Sequence, residues 1–339
     1  MSASKGTPFT APVIDSLSIR VVVDSRYENI LPKETHPFVQ IEHVGDIPGR
    51  LMHTLAAEWG LSLHLVSSVA GVRAEYLLDF GWTPEVINRN IDLLGVDPAK
   101  LGGLILSHGH LDHFGGLDGF LDQHRRGMRD DLALFVGGED AFAQRWAEDP
   151  HGPDDDNPDI SSWGQLDRER VLLHKVMPVC CNEPHVLDDA FTSGYLDRQS
   201  FERTTSHTLV QGSDHFTEKE RRGELVTDNH PEEHAICYLI RDRGLIVISS
   251  CGHAGIINSV KTAMAVAGTD NLHAVVGGFH LAASKQDYID HTVDALAELN
   301  PDVVLPMHCT GRGFIESMRR RMPEKLVGAN LGSRYTFGV

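Results

Sequence analysis

Residues 104–117 read LILSHGHLDHFGGL, and no other stretch limits the fold of this chain as strongly. The apolar run Leu104–Leu106 is short enough to be a buried strand. It is followed at once by His108, His110, Asp112 and His113, with Gly109, Gly115 and Gly116 loosening the backbone. A strand end fixes the main chain, and a tight turn can then aim alternate side chains at one point. Neutral imidazoles with a carboxylate suit zinc, iron or manganese. His108 and His110 can share one ion, and Asp112 and His113 can serve a second. One loop cannot complete two metal shells, so further ligands are expected from other strand ends.

Those ends can be found. AICYLIRDRGLIVISS (235–250) reads as two strands around a turn at Asp242–Gly244, and Cys251 and His253 follow it. His280 follows the strand LHAVVGGF (272–279), and His308 closes PDVVLPMH (301–308). His234 lies just before AICYLI and can reach the same rim. Earlier strands are expected at 17–25, 61–68, 74–81, 101–107 and 132–138. Helices are expected at 84–96, where Pro84 suits a first turn, and at 254–268 and 287–300. Thr310 is placed to cap the helix after 308. Strands and helices recur in both halves with no linker between them. This predicts one layered αββα domain over residues 1–339, interrupted by excursions at about 147–164 and 197–229. Loops of that length act as lids or binding loops, or are disordered.

The formal net charge of −18 argues against a phosphate-backbone binder, and no nucleic-acid partner is expected. The basic run Arg319–Arg321 reads as a solvated helix end. No apolar stretch approaches membrane-spanning length, and the N-terminus lacks a charged start followed by an apolar block. With five cysteines in no disulfide pattern, a cytoplasmic location is expected and no membrane partner. No nucleophile elbow, P-loop or dinucleotide fingerprint occurs.

The HxHxDH run of SHGHLDH resembles the signature of the metallo-β-lactamase fold superfamily. AEWGLS (57–62), LLDFG (77–81), SSCGHAGIINS (249–259), GGFHL (277–281) and PMHCTG (306–311) extend the likeness. Together they resemble the 7,8-dihydropterin-6-methyl-4-(β-D-ribofuranosyl)aminobenzene-5′-phosphate synthase-like subfamily, over roughly residues 17–325. The resemblance implies a four-layer αββα sandwich holding two divalent metal ions, zinc foremost, with iron or manganese as alternatives.

It also implies roles. His108 and His110 would bind the first ion with a third histidine, His234 in preference to His230. Asp112, His113 and His308 would bind the second. Cys251 stands where the family usually has a bridging Asp. Either the thiolate bridges, or solvent bridges alone and His253 fills a coordination site. Asp79 would orient a ligand, with a turn cap as its alternative, and Trp59 replaces a frequent His.

The implied activity is a hydrolase that uses a metal-activated water on a small ester, lactone, amide or phosphoester. Asp112 would accept the nucleophile's proton. His280 would protonate the leaving group, with His253 as second choice. The N-terminus of the helix from Ala254 would favour an anionic group on that small-molecule substrate. A pterin-type C–N bond-forming synthase and a non-catalytic metal- or ligand-binding protein are the alternatives. Among the other histidines, His64 reads as core or rim. His185, His207 and His215, in or near the excursions, are candidates for substrate contact. His36, His43, His53, His124, His151, His174 and His291 read as surface or satisfied positions.

Overall fold

The central strands are apolar along both faces, and each face feeds a different core. A computed structural model describes residues 9–47, 54–148, 160–204, 208–211 and 225–338. In strand Gly103–Leu106, Ile105 packs with Leu78, Ile19 and Ile246. Its neighbours Leu104 and Leu106 point the other way, to Leu77, Ile87 and Phe120. Strand Gly244–Ser249 repeats the device. Ile246 and Ile248 join the first core, while Leu245 and Val247 meet Val260, Leu296 and Phe314. Because side chains alternate with period two, a fully apolar strand can bind a second sheet on one face and helices on the other. Three cores therefore separate four layers, helix–sheet–sheet–helix, as expected. Each fully buried Leu, Ile or Val contributes about 1.5–3 kcal/mol.

The first sheet runs Met177–Cys180, Ala133–Val136, Gly103–Leu106, Val72–Leu78, Ser62–Val69, Ser16–Val23, Arg334–Phe337, Gln40–Glu42. Its first four strands are parallel. The second runs Val186–Leu187, Ala190–Thr192, Ile236–Ile240, Gly244–Ser249, Leu272–Gly277, Val303–Pro306, with Val13–Ile14 paired to Ile236–Ile240. Its last three strands are parallel, and Ser249, Gly277 and Pro306 lie in register at their ends. Parallel strands share one carboxyl edge. Cys251, His280 and His308 therefore emerge side by side, facing the loop after Gly103–Leu106.

The expected strands and helices are present within a few residues. Helix Pro84–Leu94 has Pro84 in its first turn and ends at left-handed Gly95. Arg320 and Arg321, at the end of helix Arg312–Arg321, pair with Asp290 and Asp294. Thr310 departs from expectation. Helix Arg312–Arg321 is entered through Gly311, and the Thr310 hydroxyl donates back to the Met307 carbonyl at 2.7 Å. Its oxygen accepts from the Phe279 N–H, so it ties two strand ends together instead of capping the helix.

The described parts of the two excursions pair with each other. Leu225–Thr227, Thr208–Gln211, Arg145–Glu148 and Ile160–Gly164 form a small antiparallel sheet. His53, His151, His207 and His215 lie outside the described residues. Among the described residues, no helix is long and apolar enough to cross a membrane.

Candidate metal centre

Asp79 ends strand Val72–Leu78 in the left-handed region, at φ 59°. Its carboxylate accepts the Ser107 N–H at 2.8 Å, the Ser107 hydroxyl at 2.7 Å and His113 Nδ1 at 2.7 Å. A carboxylate only accepts, so His113 Nδ1 carries the proton and Nε2 keeps a lone pair. The Ser107 proton is committed to Asp79, so its oxygen accepts from His108 Nδ1 at 2.9 Å. His108 is thereby fixed in the same tautomer. Neither Nε2 has a hydrogen-bond partner among the described residues. One carboxylate thus turns two buried imidazole nitrogens into bare donors aimed off the strand end.

Further imidazoles close on the same space. Ring centroids lie 4.2 Å apart for His108 and His113, and 4.6 Å for His108 and His110. His253 is 4.9 Å from His108, 4.6 Å from His110 and 3.9 Å from His230. His280 flanks His253 at 4.2 Å, and His308 flanks His113 at 5.1 Å. Burial, and then mutual repulsion, push His108, His110 and His253 well below the usual imidazole range. Burial takes His230 down to about 3. All four are neutral at pH 7, the form that binds metal.

His308 behaves differently. Burial opposes its charge, but Cys309 and Asp112, whose Oδ2 is 3.3 Å from Nε2, hold it up to about 9. Burial would also raise Asp112, yet His113 and His308 outweigh it and draw the carboxyl down.

Donor atoms within 4.8 Å of one another fall into overlapping sets: His108–His110–His253, His110–Asp228–His230, His108–His113–Cys251, Cys251–His253–His280 and Cys251–His308–Cys309. These groups fit a metal. They are buried, and among the described residues His230 and His253 have no hydrogen-bond partner on either ring nitrogen, His308 has none on Nδ1, and one oxygen of Asp112 has none. Cys251 belongs to three of these sets, so its sulfur sits where the two halves of the centre meet.

The geometry rearranges two expectations. His234 donates Nε2 to the Leu106 carbonyl at 2.9 Å and packs beneath the strand, outside these five sets. His230, the alternative to it, lies in the set with His110 and Asp228. The Asp228 carboxylate accepts the His230 N–H at 2.9 Å, which turns the ring inward at φ 48°. The Asp-Asn-His-Pro composition was a turn signal that pointed to this bend.

The helix near Ala254 does not offer an anion site. It begins at Ile256, and Glu202 already accepts the N–H groups of Ile257 and Asn258. Glu233 accepts those of Gly252, His253 and Ala254. These two buried side chains already occupy the orphan donors.

Arg145 is the residue that sequence reasoning missed. Only 1% exposed, it donates to Asp228 Oδ2 at 2.6 Å, Glu232 Oε1 at 2.5 Å and the Gly109 carbonyl at 3.0 Å. It therefore pins the loop between His108 and His110. Burial presses against the charge of both carboxylates. For Asp228 the charges of His230 and Arg145 prevail and lower it, while Glu232, repelled by Asp228, is pushed up to about 7. Nothing in GEDAFAQRWAED marks this arginine as buried.

His64 bonds Glu75 on the first sheet, and His185 packs on Phe135, both apart from the cluster. A cleft of about 190 Å³ opens on the centre between Asp112, Trp163, Thr208, Cys251, His280 and His308. The small sheet closes one side of it. Trp163 lies 4.7 Å from the His110 ring, and Thr208 Oγ1 is 3.1 Å from His110 Nε2. Trp59 packs 4.9 Å from His308 and divides the cleft from a second pocket of about 270 Å³, lined by Arg26, Thr310 and Arg312.

Four layers with a histidine-rich centre at the strand ends define a metallo-β-lactamase-fold protein. Residues 67–173 match the profile of the Metallo-beta-lactamase superfamily. The chain is similar to the 7,8-dihydropterin-6-methyl-4-(beta-D-ribofuranosyl)-aminobenzene-5′-phosphate synthase of Methanocaldococcus jannaschii. The two are 26% identical over 287 residues, covering 79% of this chain and 90% of that protein. An uncharacterized protein of the same organism, MJ0448, is 27% identical over 240 residues, 69% of this chain and 78% of its own length. The crystal structure of Tm1679, described as a metal-dependent hydrolase of the beta-lactamase superfamily, superposes with a TM-score of 0.66. It shares 23% identity and covers 94% of this chain and 98% of that one.

Proposed function

We propose that the protein is a metal-dependent hydrolase of a small anionic ester, lactone, amide or phosphoester. The observation that carries this reading is the group of buried nitrogens of His108, His113 and His253, without hydrogen-bond partners among the described residues, gathered with Cys251 and open to a cleft. His108 and His110, with His230 and His253, would hold one divalent ion. Asp112, His113 and His308 would hold another, with Cys251 between the two. Zinc suits this set of imidazole, thiolate and carboxylate donors. Such ions supply a nucleophile at neutral pH by lowering the pKa of water towards about 7, and they polarise the oxygen of the bond to be cleaved.

The remaining work falls to side chains. Asp112 directs one oxygen at the centre and takes the nucleophile's proton. His280, at the mouth of the cleft, donates to the leaving group. His253, buried among four other imidazoles, acts as a ligand instead of a proton donor. Arg26 and Arg312 are exposed, have no ion pair to any described residue and line the pocket beyond Trp59. In a chain of net charge −18, two uncommitted guanidiniums beside the centre favour an anionic substrate group.

The test is hydrolysis by zinc-, iron- or manganese-loaded protein across lactones, esters and phosphodiesters, with neutral and anionic members of each. Activity, with Arg26→Gln and Arg312→Gln raising KM only for anionic substrates, supports the reading. No turnover on any panel sinks it.

A second reading is a bond-forming synthase of pterin type, supported by the likeness to the archaeal synthase over 79% of the chain. Incubation with a pterin pyrophosphate and an aminobenzene acceptor decides it by product mass. Absence of a condensed product counts against it.

A further inference from the structure

We propose that Cys309 is a metal ligand, so that the centre contains a site with two sulfurs, from Cys251 and Cys309, together with His308. This rests on the metal-centre reading above.

The two sulfurs lie 3.3 Å apart, and both residues are buried. A covalent disulfide measures about 2.05 Å. Two thiolates each about 2.3 Å from one ion are at most about 4.6 Å apart. The observed spacing is thus too long for a bond and short enough for a shared ion. The sulfurs and a His308 ring nitrogen all lie within 4.8 Å of one another.

The backbone is arranged to make this possible. Successive side chains in a strand point to opposite faces, so His308 and Cys309 would ordinarily diverge. His308 instead adopts φ 47°, just after strand Val303–Pro306. Residues other than glycine rarely adopt this conformation. The kink breaks the alternation, and both side chains reach the rim. The Cys309 sulfur accepts the His280 N–H at 3.3 Å, and as a thiol it donates to the Cys251 carbonyl at 3.3 Å, a proton that metal binding would displace. Gly278 lies against both the Ser250 carbonyl and this sulfur: a Cβ there would stand 2.3 Å from the oxygen and 2.8 Å from the sulfur. The bend, which the Asp24 carboxylate holds by accepting the His308 N–H at 3.1 Å, thus brings an imidazole and a thiol from successive residues to one place.

Two soft donors select zinc or ferrous iron over magnesium, calcium or manganese. The pair also explains how a centre without the usual carboxylate bridge keeps enough negative charge. Thiolates at Cys251 and Cys309 would balance one divalent ion between them.

The experiment uses the full chain, reduced, stripped and reloaded with cobalt(II), with bound cobalt counted. The near-ultraviolet thiolate-to-cobalt charge-transfer band is then compared among wild type, Cys251→Ser and Cys309→Ser. Each single variant should lose a substantial part of the band, and the double variant all of it. An unchanged band in Cys309→Ser at unchanged cobalt content overturns the proposal. So does a Cys251–Cys309 disulfide in the loaded wild type. Cadmium NMR of the unsubstituted protein serves if a variant fails to fold. A resonance in the two-sulfur range supports the site, and one in the range for one sulfur or none refutes it. Failure to bind any cobalt or cadmium refutes the metal centre itself, a different result from binding without Cys309.

Discussion

Replacing Asp79 by asparagine changes one atom and should disable two ligands that it does not resemble. Asn tolerates the left-handed backbone at φ 59° and keeps the side-chain volume, so the fold should survive. The Ser107 N–H cannot turn away, so the amide oxygen must take the seat of Oδ1. The amide NH2 then faces both the Ser107 hydroxyl and His113 Nδ1. His113 must accept there, which moves its proton to Nε2. Ser107 must accept too, so its own proton turns to His108 Nδ1 and drives that ring into the opposite tautomer as well. Both metal-facing lone pairs are lost together. Removing an outer partner of a metal-bound histidine typically costs 10–100-fold in affinity, or about 1.4–2.7 kcal/mol. Two histidines affected at once predict a loss of about 100- to 10,000-fold. Competition with a chromophoric chelator measures it, with circular dichroism confirming the fold. Wild-type affinity for both ions in Asp79→Asn would refute the tautomer argument.

Three further outcomes follow from the same geometry. Arg145→Met strands Asp228 and Glu232 in a dry interior and should cost about 3–5 kcal/mol by urea denaturation, and adding Asp228→Asn and Glu232→Gln should recover much of it; a single variant as stable as wild type would contradict the clamp. Burial pushes Glu202 up to about 7 from 4.5, so its contribution is fully present below about pH 4.5 and is lost as pH rises through 7. Glu202→Gln should therefore flatten the decline in urea midpoint between about pH 5 and 8, and an identical slope would count against that assignment. Chelation of bound metal should lower the melting temperature, since an ion held at 100 times its Kd stabilises by about 2.7 kcal/mol, and an unchanged melting curve after confirmed removal would argue against a filled centre.

The sequence by itself determined the layers and the rim. Alternating and continuous apolar runs such as LILS and LIVIS can only be satisfied by burial on both faces. Each carries its His or Cys one to four residues past the strand end, a local relation that needs no tertiary knowledge. The HxHxDH loop, Cys251, His253, His280 and His308 were legible for that reason. Tertiary structure decided what depends on the meeting of distant segments. His230 lies among the clustered imidazoles because a turn held by Asp228 aims its ring inward, while the Leu106 carbonyl accepts from His234 Nε2. The N-terminus of helix Ile256–Ala267 was lost as an anion site because Glu202 and Glu233, remote in sequence or placement, arrive there first. RYTF alternates plainly enough for a strand, yet only the fold slots Arg334–Phe337 between strands that begin at Ser16 and Gln40. Arg145 looks like any surface arginine until two excursions fold over it, because burial of a charge depends on partners that no local pattern announces.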